Sequence, residues 1–338
     1  ALQLYAQLKV QGNEDVCKQR TSKDFRAPYS ACSDGVYEEK LQFLKSAYGI
    51  ALAQPTHEML RNNPRTRTQD VRVFHQFNST LPKDSLIDLG QNIYCVMPAL
   101  AICLLSRKQT SLHQIVLANL LMATYGHLPN GDLCELSSPL ITRIEMLSVL
   151  NALDSYSPGL RSTQRNMRYF FSDAASPMEL KMAIRSALPY RWGGFNQMPL
   201  ALNKSYMIKD QMNPTADAKE RKLDLLFGKM PTSNAAGLNL VAIEYNGVYH
   251  DDFYQQIKDN QRINELNSVC IKEYFVNADI YRNQFAMQNM FLSIKKDLGN
   301  SNLYRIRRSL SQYTREQFIL MNNLDSIYRI MNELIYKF

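Results

Sequence analysis

Apolar residues recur at helical spacing over much of the first half of the chain. The run LQFLKSAYGIAL within Glu39–Leu52 has the 3.6-residue period of an amphipathic helix. Val71–Phe77 alternates apolar and polar side chains and predicts a strand, as does the shorter segment Asn92–Val96. Pro98 opens a helix through Leu105. Ser111–Ala123 is apolar on nearly all sides, so a helix there must be buried on most faces. Ser138-Pro139 pairs an N-cap with proline at the first helical position, and Leu140, Ile144, Leu147 and Leu150 follow at helical spacing. Residues 1–35 are polar, weakly periodic and broken by Gly12, Pro28 and Gly35, the pattern of a loose lead-in arm.

The breaker-rich stretch Asp154–Gly159, DSYSPG, marks the strongest boundary. Beyond it, Ser176-Pro177-Met178-Glu179 starts a helix to about Ala187. Short apolar runs at Tyr206–Ile208, Arg221–Phe227 and Leu240–Tyr245 predict strands. Asp279–Leu298 is a helix stopped by Gly299. Gln312–Tyr336 is another, with Phe318, Ile319, Leu324, Ile327, Met331, Leu334 and Ile335 at helical spacing. That stripe predicts packing on its own domain or on a twin subunit, a homodimer through the C-terminal helix. The expected organisation is a helix-rich α+β domain over 1–160, an α/β domain over 161–300 with a mixed sheet flanked by helices, and a helical extension over 301–338.

Composition changes this picture little: 45% hydrophobic and 21% charged residues describe a soluble globular chain with ample core. The longest apolar run, Val96–Leu105, is interrupted by Pro98 and falls short of a membrane span. With no basic-then-apolar leader after Ala1, the expected location is cytoplasmic. Charge is more informative. Residues 1–160 carry 15 Lys/Arg against 14 Asp/Glu, whereas 161–338 carry 24 against 17. A basic back half points to a polyanion partner, with a solubility surplus as the alternative. Six scattered cysteines without a C-x-x-C pair, and five scattered histidines, predict reduced thiols and no structural zinc.

Candidate chemistry concentrates in the back half. Leu240-Val241-Ala242-Ile243 runs straight into Glu244, and Asp224 lies inside Arg221–Phe227; a buried acid needs a partner or a cation. Strand alternation places Leu240, Ala242, Glu244 and Asn246 on one face. Pairing of the two strands would bring both carboxylates and the Asn246 carbonyl together, with Glu179 arriving from its helix. Glu179 is equally the acid of a capping box on Ser176. Clustered oxygen ligands suit Mg²⁺, which binds through few carboxylates and shares substrate phosphate oxygens. Arg161, Arg165 and Arg168 form one basic helical stripe suited to a phosphate backbone or to solvent. The basic loop Arg61–Arg67 and the cluster Arg305, Arg307 and Arg308 offer the same two uses. Asn246-Gly247 is also a preferred two-residue hairpin turn.

Taken together, a helix with Glu179, a strand with Asp224, and IEYNGVYH followed by DNQRINEL resemble the PD-(D/E)XK nuclease superfamily. The closer likeness is to very-short-patch-repair endonucleases and related bacterial proteins, which read E-x-D-G-x-x-H and then D-x-x-R-x-x-x-L. The resemblance spans roughly residues 165–280. It implies a restriction-endonuclease-like fold and a Mg²⁺-dependent DNA endonuclease, with Mn²⁺ as substitute. It further implies Asp224, Glu244 and the auxiliary Glu179 as metal residues, and His250 as a catalytic group. Arg262 would contact nucleic acid, and Asp259 and Arg262 match the motif's helix pair. Asn246 departs from the pattern, standing where the superfamily carries Lys and the narrower branch Asp. It can orient a water or ligate through its carbonyl but carries no proton away, a task left to His250 or to Lys258 on the next helix. The expectation from a different class is a non-catalytic DNA-binding or regulatory protein on the same scaffold, and a third is an interaction module whose acids are structural.

Overall fold

A computed structural model describes residues 2–336 apart from 23, 53, 62–70, 78–79, 107–108, 129–131, 156, 158, 209–217, 229–239 and 247–252, and apart from the side chains of 76 and 253–260. The chain is a mixed α/β protein that divides into two compact units, 1–170 with 327–338, and 171–326. The boundary expected at 160/161 therefore falls at 170/171, and residues 301–338 form no unit of their own. The shift has a cause. Gln114 donates to Thr163 Oγ1 and accepts from Asn166 Nδ2, both at 2.6 Å, and Asn119 Nδ2 donates to the Tyr169 carbonyl at 2.8 Å. Separating residues 160–170 from this network would strand buried polar groups at about 1–3 kcal/mol each. Gly159, part of the breaker signal, has φ 80°, and a Cβ there would lie 1.9 Å from the Cys103 carbonyl oxygen. Close packing put the glycine there, not a linker.

Unit 1 contains α1 (Leu2–Val10), α2 (Asp34–Tyr48), α3 (Pro98–Leu105), α4 (Ser111–Leu121), α5 (Arg143–Ala152) and α6 (Leu160–Asn166). Its strands form two-stranded ribbons: β1 (Thr56–Leu60) parallel to β2 (Arg72–Gln76), β3 (Leu86–Asp88) antiparallel to β4 (Tyr94–Val96), and β5 (Tyr125–His127) antiparallel to β6 (Leu133–Glu135). Two expectations fail here. The lead-in is not loose: α1 buries Leu2, Leu4, Tyr5, Ala6 and Leu8. And α5 does not start at Ser138-Pro139. Thr142 caps it in a reciprocal box with Glu145, so the start moves to Arg143 and Ile144 is left 79% exposed. The basic loop lies outside the described residues from 62 onward. Among the described residues no helix is long and apolar enough to cross a membrane.

Unit 2 runs α7 (Pro177–Ala187), β7 (Ala201–Ile208), β8 (Lys219–Phe227), β9 (Leu240–Tyr245), α8 (Phe253–Ser268), β10 (Ile271–Val276), α9 (Ala278–Arg282), α10 (Gln284–Asp297), α11 (Leu303–Gln312) and α12 (Thr314–Tyr336), whose last residues belong to unit 1. The sheet order is β10-β9-β8-β7, antiparallel from β7 through β9, with β9 and β10 parallel across α8. β9 and β10 are parallel, so the chain crosses over between them; the turn expected at Asn246-Gly247 lies outside the described residues from 247 onward. Leu266 of α8 is fully buried against Leu226, Ala242, Leu240 and Ile271, which covers one face. On the other, Phe227 meets Phe291 of α10 edge-on at 6.3 Å, and Phe291 stacks on Phe195 at 4.2 Å. Each such side chain contributes roughly 1.5–3 kcal/mol of burial. The expected single helix 279–298 is two, because Asn283 turns its side chain to cap Phe285 and Ala286. In α12, Leu324, Ile327, Met331 and Ile335 are buried within the chain itself, while Phe318 and Ile319 are exposed. No partner subunit is needed to cover the first four.

Candidate functional site

The site is a row of polar side chains across the middle of the unit 2 sheet. Leu225 of β8 stands opposite Ile243 of β9, and one further step of the same antiparallel register sets Asp224 opposite Glu244. The backbone ladder stops at that step, and the Tyr245 N–H donates instead to Asp224 Oδ2 at 2.8 Å. On the far side of β8, the register that pairs Leu202 with Leu225 and Lys204 with Leu223 puts Asn203 against Asp224. Asn203 has φ 49° in the middle of a strand, a conformation asparagine tolerates better than most residues. Leu223 and Leu226, three apart, both join the core that includes Leu266. The two-residue alternation is thus broken between them, at Asp224-Leu225. Both strands are kinked at the site, as strands beside functional sites often are.

Helices supply the rest. Ser176 caps α7 by accepting from the Glu179 N–H at 3.2 Å. The Glu179 carboxylate does not return to Ser176, as a capping box requires; Oε2 accepts from the Ala175 N–H at 2.8 Å and from Asn203 Nδ2. Asn203 also donates to the Asp173 carbonyl at 2.7 Å, so one strained amide ties the helix acid to the sheet. Arg262 of α8 reaches from the other helix. Its Nη2 donates to Glu244 Oε2 and to the Lys222 carbonyl, and its Nε donates to Glu273 Oε1 of β10 at 3.0 Å. The Glu273 side chain is fully buried, and those of Glu244 and Arg262 are 17% and 19% exposed.

Charge is unbalanced here. Asp224, Glu244 and Glu273 are close enough to repel one another, and among the described residues one guanidinium, that of Arg262, answers them. Burial pushes the Asp224 carboxyl up to about 6, with Glu179 adding to the rise and the Tyr245 N–H opposing it. Burial and then repulsion from Asp224 push Glu244 up to about 8, against the pull of Arg262. Without a further cation the pair retains a proton near neutrality.

The donor set fits a hard divalent cation in charge and chemistry. Each of the two carboxylates accepts through one oxygen, Asp224 Oδ2 from Tyr245 and Glu244 Oε2 from Arg262. Among the described residues no group of three or more His, Cys, Asp or Glu is arranged to hold a metal ion.

Of the residues expected from sequence, Asp224 and Glu244 are neighbours across β8 and β9, Arg262 bonds Glu244, and Glu179 is near enough to raise Asp224, but the three acids expected to share a metal form no group arranged to hold one. Asn246 follows β9, with its N–H donated to the Val276 carbonyl at 2.9 Å, and is exposed. His250 and the side chains of Lys258 and Asp259 lie outside the described residues. Arg161, Arg165 and Arg168 are exposed and belong to unit 1. The basic surplus moves with them: residues 171–326 carry 19 Lys/Arg against 16 Asp/Glu. Two members escaped sequence reasoning. Glu273 is an acid in the strand-like run IKEYFV, the same signal that singled out Asp224. Asn203 stood inside ALNKSYMI as a poor strand former. Comparison with protein-family models, with curated proteins and with solved structures returned no match.

Proposed function

We propose that unit 2 is a metal-dependent phosphodiester hydrolase module acting on DNA, a PD-(D/E)XK-type endonuclease domain. The observation that carries the reading is the meeting of Asp224 and Glu244 on adjacent strands, with too little positive charge around them. The mixed sheet with a preceding helix acid and a crossover helix after the Glu strand supports it, since the motif resemblance implies the same order. Asp224 and Glu244 would hold Mg²⁺, or Mn²⁺ in its place, with Glu179 as the auxiliary acid. When bound, such a cation supplies Lewis-acid polarisation of a scissile phosphate and a water of lowered pKa. Asn203 orients Glu179 through its amide. Arg262, donating to Glu244, is placed to neutralise charge on a phosphate oxygen beside the carboxylates. Asn246 carries no charge and takes no proton.

The test is nicking of supercoiled plasmid by the full chain in Mg²⁺ or Mn²⁺, with EDTA as control. Glu244→Gln and Asp224→Asn should each abolish cleavage while leaving the Trp192 emission of unit 2 unchanged. Metal-independent nicking, or none by the parent chain in either metal, would remove the reading.

A non-catalytic nucleic-acid-binding or regulatory scaffold is the second reading. It is favoured by Arg262, which already bonds Glu244 and Glu273 and supplies a built-in cation. Salt-dependent DNA binding without nicking is its expected signature.

A further inference from the structure

Away from the carboxylate row, unit 2 contains a second polar recess, walled by the turn at 190–197, the end of α10 and the start of α11. Its volume is about 370 Å³, and Tyr190, Asn196, Gln197, Lys295, Arg305 and Ser309 are among the residues that line it. Among the described residues lining it there is no carboxylate, whereas there are two cations, with amides and hydroxyls between them. Such a wall is a set of hydrogen-bond donors around net positive charge.

Lys295 is the unusual member. It is 4% exposed, on the face of α10 that buries Phe291 and Ile294. Apolar side chains fill much of that face, yet an ammonium stands among them. Its Nζ donates to the Asn196 carbonyl at 2.9 Å and to Gln197 Oε1 at 3.1 Å, and lies 5.8 Å from the Tyr190 ring centre. All of these partners are neutral, and a lysine has three donors. Burial without a counter-charge pushes the Lys295 ammonium down to about 8. A buried cation in this position calls for an anion. Arg305, exposed on α11, brings a planar guanidinium to the same recess, the group best shaped for phosphate oxygens.

We propose that this recess binds a phosphate monoester, with Lys295 and Arg305 as the charged contacts and the neighbouring amides and Ser309 completing the hydrogen bonds. The volume exceeds what a bare phosphate needs and lies near the lower end of the roughly 300–1,000 Å³ of small-molecule sites. The ligand therefore carries an organic part. It is either a free nucleotide-sized compound or the phosphorylated end of a nucleic-acid strand. The site shares no residue with the carboxylate row and requires no metal, so it stands or falls apart from the nuclease reading.

Calorimetric titration of the full chain in EDTA tests it, with four probes: adenosine 5′-monophosphate, adenosine, and a short single-stranded oligonucleotide with either a 5′-phosphate or a 5′-hydroxyl. The monophosphate should bind at least about tenfold tighter than adenosine, since one charge-assisted contact is worth about that factor. Arg305→Gln, a surface change, should weaken it about tenfold. Lys295→Met should weaken it further, with Trp192 emission and the melting curve checking that the variant folds. Preference for the 5′-phosphorylated strand over both its 5′-hydroxyl twin and the mononucleotide would identify a strand end. The reverse order would identify a free ligand. Absence of binding by either phosphorylated probe, or equal affinity in the parent and Arg305→Gln, would overturn the proposal.

Discussion

Replacing Glu244 by Gln should stabilise unit 2 most at alkaline pH and least at acid pH. Both carboxyls of the Asp224–Glu244 pair have native pKa values raised above their ordinary ones, to about 6 and about 8. The native state then holds protons that the unfolded chain has released. Stability is full below the unfolded values near 4 and falls as pH rises towards 8. One pKa unit corresponds to about 1.4 kcal/mol, so the rise at Glu244 alone would amount to roughly 4–5 kcal/mol. Part of that rise is repulsion shared with Asp224, and 17% of the side chain is open to water. We therefore expect about 2–3 kcal/mol. The assay is urea unfolding at pH 5.5, 7.0 and 8.5 in EDTA, followed by Trp192, the single tryptophan of the chain and a member of unit 2. Titrating groups other than Asp224, whose carboxyl is coupled to Glu244, cancel in the comparison of parent with variant. The variant's excess over the parent should be smallest at pH 5.5, about 1 kcal/mol, and largest at pH 8.5, and Mg²⁺ should restore the parent alone. A variant less stable than the parent at pH 8.5 would refute the reasoning, since Arg262 would then be shown to hold Glu244 ionised at a profit.

Three further outcomes follow from the same geometry. Arg262→Leu should destabilise unit 2 by about 3–5 kcal/mol, because it strands the fully buried Glu273 beside Glu244; urea midpoints measure it, and a loss under about 1 kcal/mol would show the pair to be solvated. At Asn203, with φ 49°, glycine should be better tolerated than valine by about 1–2 kcal/mol, the cost of a side chain in the left-handed region; equal melting temperatures for the two variants would remove the strain argument. Gly193→Ala should unfold unit 2 more readily than any of these, since φ is 82° and the new Cβ would lie 2.2 Å from the Glu316 carbonyl oxygen; unchanged circular dichroism melting would contradict it.

Local chemistry alone set much of this chain. Thr110, Ser176 and Pro177 begin helices where capping requires, Gly49 and Gly299 adopt the left-handed turn past helix ends, and β8 and β9 are strands because short apolar runs cannot be anything longer. Each of those outcomes depends on neighbours within a few residues. The acids Asp224 and Glu244 were legible for the same reason, as charges lodged in apolar runs.

Tertiary structure decided what those charges meet. Register across three strands set Asn203, Asp224 and Glu244 in one row, and Arg262 reached across to Glu244 and Glu273. Helical spacing named Ile144 and Phe318 as core, but neither is buried, because spacing says which residues share a face and not whether anything covers it. DSYSPG marked a close approach of Gly159 to α3 instead of a linker. Breakers look alike in sequence whether a chain bends around water or around packed backbone, and only the partner distinguishes the two.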